Sequence, residues 1–191
     1  MTRTITLAAC AAALFASGMP AQAFEGGVSA GPSLVTDGDV RIWGGTGRVS
    51  LYPIPNFGIE GEATVGISED DIDFILQDVD GLTVPANTDI SLDSQLGIFA
   101  VGRLPLESGS IFARLGYMKA DFTSTLDAPI PNIPDVDVSF DNVAFGVGGD
   151  YYFNNGPHGL RFDITSITGD GNGLDGSIQT ISLAYSYRFG G

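Results

Sequence analysis

Ile181-Ser182-Leu183-Ala184-Tyr185-Ser186-Tyr187-Arg188-Phe189 places five large apolar or aromatic side chains at every second position. Small or charged residues fill the positions between. Successive side chains of a strand point to opposite faces, so this stretch is a strand with one greasy face and one polar face. A helix would scatter the same residues around its whole circumference.

The two-residue period recurs upstream. Phe57, Ile59, Ala63, Val65 and Ile67 alternate with Glu60, Glu62 and Thr64. Ile111, Ala113, Leu115 and Tyr117 alternate with Phe112, Arg114, Gly116 and Met118. Val143, Phe145, Val147, Gly149, Tyr151 and Phe153 form another series, and Leu160, Phe162 and Ile164 a further one. Less regular segments lie at about 24–36, 40–53 and 89–104, which brings the expected number of strands to eight. Gly makes up 27 of 191 residues, roughly twice the usual share of about 7%, which suits strands and tight turns better than helices.

The connections alternate in type. Pro53-Ile54-Pro55-Asn56, Pro105-Leu106-Glu107-Ser108-Gly109 and Asn154-Asn155-Gly156-Pro157-His158 are short and marked by Gly or Pro. The other links, Thr36–Asp39 and about 69–88, 125–137 and 169–176, are mostly longer and acidic. Transmembrane barrels sort their loops in this way, with short turns at one end and longer loops at the other. After the first residues no apolar run approaches the ~18 residues of a membrane helix. Lipid leaves backbone polar groups unsatisfied except in helices and closed barrels. The expected fold is therefore all-β, an eight-stranded antiparallel up-and-down transmembrane β-barrel spanning residues 24–191.

Residues 1–23 read as an export signal. Arg3 supplies the positive start, Ile5 to Ala16 the apolar stretch, and Ala21-Gln22-Ala23 the cleavage site. Leu7-Ala8-Ala9-Cys10 resembles a lipid-attachment box, but Cys10 lies in the middle of the apolar core and not at its end. Cleavage after Ala23 removes the only cysteine, and with it any disulfide framework or thiol catalysis. Losing Arg3 takes the net charge from −15 to about −16, which excludes nucleic acid as a partner.

Five of the seven basic residues beyond Arg3 fall on the polar faces. An interior lined by Arg48, Glu60, Glu62, Arg103, Arg114, Asp150, Arg161, Asp163 and Arg188 requires a charge network across the lumen, since an unpaired buried charge is strongly disfavoured. Large inward side chains such as Phe99 and Tyr152 leave little room for water.

The alternating segments, the Ala21-Gln22-Ala23 ending and the final strand together resemble the small outer-membrane barrels of the OmpA/OmpX and opacity-protein type. In that family the last strand is read by the outer-membrane insertion machinery, which implies an insertion signal at Tyr185, Tyr187 and Phe189. Gly190 and Gly191 follow that aromatic here, where family members often end on it. The resemblance implies an outer-membrane location, contact with outer-membrane lipid and lipopolysaccharide, and a barrel able to stand as a monomer.

No catalytic set emerges. The single histidine, His158, sits in a predicted periplasmic turn, remote from the outer rim where a surface-lipid enzyme would need it. No cofactor is implied. The acidic runs Glu69, Asp70, Asp71, Asp73 and Asp170, Asn172, Asp175 are candidates for weak divalent-cation binding by oxygen ligands. The second lacks the Glu of a calcium loop, with Ile181 in its place. The expected function is a non-enzymatic structural or surface-interaction barrel with acidic extracellular loops. Two alternatives are a narrow porin-like channel and a secreted lipocalin-like carrier. The carrier needs the inverse pattern, an apolar lumen and a polar exterior, and Trp43 lacks the Gly-x-Trp context common in such proteins.

Overall fold

The computed structural model describes residues 25–37, 40–77, 83–127, 136–168 and 177–190. The expected signal and its cleavage site, Asp170, Asn172 and Asp175, and the side chain of Asp73 lie outside the described residues. Nine strands follow in order: β1 (Glu25–Asp37), β2 (Val40–Ile54), β3 (Phe57–Gly66), β4 (Glu69–Gln77), β5 (Thr83–Leu106), β6 (Gly109–Asp127), β7 (Val136–Tyr152), β8 (His158–Thr168) and β9 (Ser177–Gly190). All pairings are antiparallel. The ring runs β1, β2, β3, β5, β6, β7, β8, β9 and closes where Glu25 pairs with Gly190. Eight staves therefore form a closed barrel, and β4 continues the line of β3 while pairing with β5 alone.

This corrects the sequence reading at one link. The acidic stretch from residue 69, expected as a loop, is strand, with Glu69 opposite Ser91 and Asp73 opposite Asn87. Asp is depleted in strands, so propensity hides the hairpin. Main-chain hydrogen bonds from Ile67 and Ser68 to the Trp43 carbonyl mark the step from β3 to β4.

The three short turns lie at one end, here the inner end, together with Glu25 and Gly190. Each is tied by the same main-chain bond from a neighbouring strand: Arg103 N–H to Asn56 (2.8 Å), Tyr152 N–H to Ser108 (2.7 Å) and Arg188 N–H to Pro157 (2.8 Å). In the last turn Asn154 and Asn155 take left-handed conformations (φ 51° and 57°), which Asn tolerates better than most residues.

The outer surface of the barrel carries the apolar faces. Leu115 is 60% exposed, Val147 58% and Leu183 52%. The eleven residues from Phe57 to Ile67 fit the ~9–11 that a tilted strand needs to cross a bilayer. The apolar band stops abruptly at the outer end: Arg41 precedes Trp43, Glu69 follows Ile67, Lys119 follows Tyr117 and Asp141 precedes Val143 on the same outward faces. Beyond that line β4 to β7 project as a sheet, and the described outward side chains of β5 to β7 there are mostly Asp, Ser and Thr.

Candidate functional site

The inward faces fill the barrel in layers. Midway lies an ionic layer built from β2, β3, β6 and β8. Arg114 Nη1 donates to Glu60 Oε1 and to Glu62 Oε2, both at 2.6 Å, and its Nη2 to Asp163 Oδ1 at 2.8 Å. Arg48 reaches Glu62 Oε2 through Nε (2.5 Å) and Asp163 Oδ1 through Nη2 (3.1 Å). Arg161 Nη1 lies 2.8 Å from Glu60 Oε2, and its Nε 3.3 Å from Asp163 Oδ2. Three guanidinium groups thus meet three carboxylates. Hydroxyls complete the set, with Ser50 donating to Glu60 (2.6 Å) and Ser182 to Asp163 (2.8 Å). These ionic side chains are almost wholly buried, so their mutual pairing offsets the cost of leaving water.

Aromatic rings support the cations. Arg114 lies 4.5 Å from the centroid of Phe99 and Arg161 lies 4.1 Å from that of Phe112. Such contacts contribute about 2 kcal/mol when desolvated. Room for them comes from Gly146: a Cβ there would stand 2.7 Å from Thr165 Oγ1 and 2.9 Å from Arg114 Nε.

Arg103, Asp150 and Arg188, expected in the same network, lie closer to the inner end and outside its ion pairs. Arg103 stacks on Tyr52 at 3.7 Å, pairs with Glu25 and donates from Nε to the Pro55 carbonyl (2.7 Å). Arg188 stacks on Tyr152 at 4.4 Å and donates to the carbonyls of Asn155 (2.5 Å) and Gly156 (3.0 Å). Both tie a turn to the barrel wall. Asp150, opposite Arg161 in register, accepts from Ser110 at 3.3 Å. Glu25 was missed because its partner stands 78 positions away.

The outer half of the lumen departs from the expected ionic filling. Val35, Ile42, Leu92, Met118, Ala144, Ile167 and Ile178 are buried together there. Val40, Ile90, Phe122 and Phe140 pack partly buried against them, with the last two rings edge to face at 5.8 Å. Between the two layers Gln95 Nε2 lies 3.2 Å from Thr180 Oγ1. The interior is thus apolar above and ionic midway, with Tyr52, Val101 and Phe112 buried from that level inward.

The remaining candidates are dispersed. Asp70 Oδ2 accepts from the Arg41 N–H at 2.7 Å. Glu69 and Asp71 are exposed on β4. Among the described residues no group of three or more His, Cys, Asp or Glu could hold a metal ion. His158 pairs with the Tyr185 hydroxyl through Nδ1, not with a Ser or Thr. Tyr185, Tyr187 and Phe189 line the outward face of β9.

Comparison with known proteins gives a consistent result. A family model described as an outer membrane protein beta-barrel domain matches residues 6–189. No curated protein matches. Among solved structures, the chain is similar to Ail, the attachment invasion locus protein of Yersinia pestis, solved in complex with the heparin analogue sucrose octasulfate. That match has 17% identity, a TM-score of 0.55, and covers 88% of this chain and 100% of that one. It is also similar to the outer membrane protein OprG from Pseudomonas aeruginosa (10% identity, TM-score 0.56, 89% and 98% covered). A major outer membrane protein from Thermus thermophilus matches at 14% identity and TM-score 0.55, with 88% and 100% covered.

Proposed function

The chain belongs to the outer membrane protein β-barrel family, and from that premise we propose that it is a non-enzymatic structural and surface-interaction barrel, working through the polar sheet of its outer end. One observation carries the reading. The lumen is filled by buried side chains in its ionic and apolar layers, whereas β4 to β7 extend past the apolar band and the described outward side chains of β5 to β7 there are polar. A filled barrel has no path for solute, and a sheet raised above the membrane has no use except contact.

Charge narrows the contacts. The outward side of that sheet carries Asp93, Asp121, Asp137 and Asp141 against Lys119. A sulfated sugar of the kind seen with Ail would meet like charge here, so the fitting partners are cationic, or anionic lipopolysaccharide bridged by divalent ions. Arg41 and Lys119 stand just above Trp43 and Tyr117, at the height of its phosphates. The barrel acts as a monomer after signal removal and insertion by the outer-membrane machinery.

Planar-bilayer recording tests the central claim. The expected result is no unitary conductance from protein whose folding is verified by heat-shifted gel migration. Reproducible channel openings would replace this reading with that of a narrow pore.

A further inference from the structure

The inner end of the lipid-facing surface is chemically lopsided. Among the described residues, the outward aromatic side chains with a polar atom at that end are Tyr151, His158, Tyr185 and Tyr187, all on β7, β8 and β9. The opposite sector ends in Leu51, Ile54, Phe57, Leu104 and Leu106. An aromatic belt that only anchored depth would be spread around the whole circumference.

Three of these residues form one assembly. His158 stands opposite Tyr187 in register. Its ring centroid lies 5.2 Å from that of Tyr187 and 6.0 Å from that of Tyr185. Nδ1 and the Tyr185 hydroxyl share a hydrogen bond. Either sense of that bond leaves a proton to offer. If the hydroxyl donates, the neutral imidazole carries its proton on Nε2; if Nδ1 donates, the Tyr185 O–H is released. The Tyr187 hydroxyl supplies a second donor. Leu160 and Leu183 continue the same surface toward the apolar band, and the turn carrying Pro157 lies on the other side. What stands against these groups is therefore the headgroup layer, where the available acceptor is a phosphodiester.

We propose that His158, Tyr185 and Tyr187 form a headgroup site for a phospholipid of the inner leaflet, its phosphate accepting from the imidazole–tyrosine pair and from Tyr187, and its acyl chains lying along Leu160 and Leu183. The proposal rests on the barrel's place in the membrane, so heat-shifted migration is checked in every sample; a protein that failed it would refute the membrane reading and not this site.

The chain has one histidine, so ring-labelled His158 gives a single NMR reporter. Protein refolded in uncharged micelles is titrated with short-chain phosphatidylglycerol, with the matching diacylglycerol, and with inorganic phosphate. The expected result is a saturating shift of the ring signals with phosphatidylglycerol alone, weakened about tenfold in Tyr187→Phe, as for loss of one hydrogen bond to a charged group. Native mass spectrometry of His158→Phe, which keeps a ring in place, should show lipid retention reduced to a similar degree. An equal shift with diacylglycerol would reduce the cluster to an aromatic belt, and saturation by inorganic phosphate alone would make it a free-phosphate site. Unchanged binding in Tyr187→Phe would equally overturn the proposal.

Discussion

Arg48 and Arg114 converge on the same two carboxylate oxygens, Glu62 Oε2 at 2.5 and 2.6 Å and Asp163 Oδ1 at 3.1 and 2.8 Å. Each acid bridges two cations that face one another across the lumen. The staves β2, β3, β6 and β8 are thereby joined through the interior as well as around the wall.

Arg114 is the hub, since among the described residues it alone touches all of Glu60, Glu62 and Asp163. Arg114→Ala removes the cation shared by three buried carboxylates, leaving Arg48 and Arg161 alone against them, and should cost about 3–5 kcal/mol. Arg41→Ala, at the exposed outer edge, should cost no more than about 1 kcal/mol. Urea unfolding in lipid vesicles, followed by tryptophan fluorescence, measures both. Equal losses would contradict a structural role for the ionic layer.

Gly146 leaves the space in which the Arg114 side chain lies, so Gly146→Val should destabilise by about 1–3 kcal/mol through overpacking. Gly47 faces outward, and a Cβ there would meet nothing within 4 Å. Gly47→Ala should therefore be nearly neutral. The comparison separates lumen crowding from any general demand for glycine in the strands.

Phe99 is buried opposite Glu60 in register and supports Arg114. Phe99→Ala should cost about 3–5 kcal/mol yet leave the bilayer current at baseline, because the ion pairs beside it and the apolar layer above it still span the barrel. Current in this single variant would show that the Phe99 ring itself seals the barrel.

Val147 lies on the outward face, midway between Val143 and Tyr151. Val147→Arg should destabilise the protein in bilayers by about 2–4 kcal/mol. On a soluble protein an exposed substitution of this kind falls within about 0.5 kcal/mol. The same measurement in vesicles of differing thickness locates the midplane.

Alternation was legible wherever one face is polar: the clean series around Phe145, Leu183 and Ile59 correspond to β7, β9 and β3. It faded at 24–36, 40–53 and 89–104 for a physical reason. Toward the outer end of β1 and β2 both sides of the strand are apolar, so Leu34 is only partly buried beside buried Val35 and Trp43 is exposed beside buried Ile42, and in β5 the register shifts between Leu92 and Ser94. A two-residue period cannot survive there. The acidic residues from Glu69 hid a strand because sheet pairing above the membrane needs no greasy face. Pair identities were out of reach as well: Arg48 and Asp163 are 115 positions apart, and only closure of the ring brings them together.

The inner turns are tied three times by one main-chain hydrogen bond, and its donor residue is Arg, Tyr and Arg in turn. The rim is thus specified first by peptide groups, with the Arg103 and Arg188 side chains reinforcing two of the three ties. A scaffold of this kind can drift far in sequence without losing its outline, which frees its outward residues to be reshaped by whatever surface they meet.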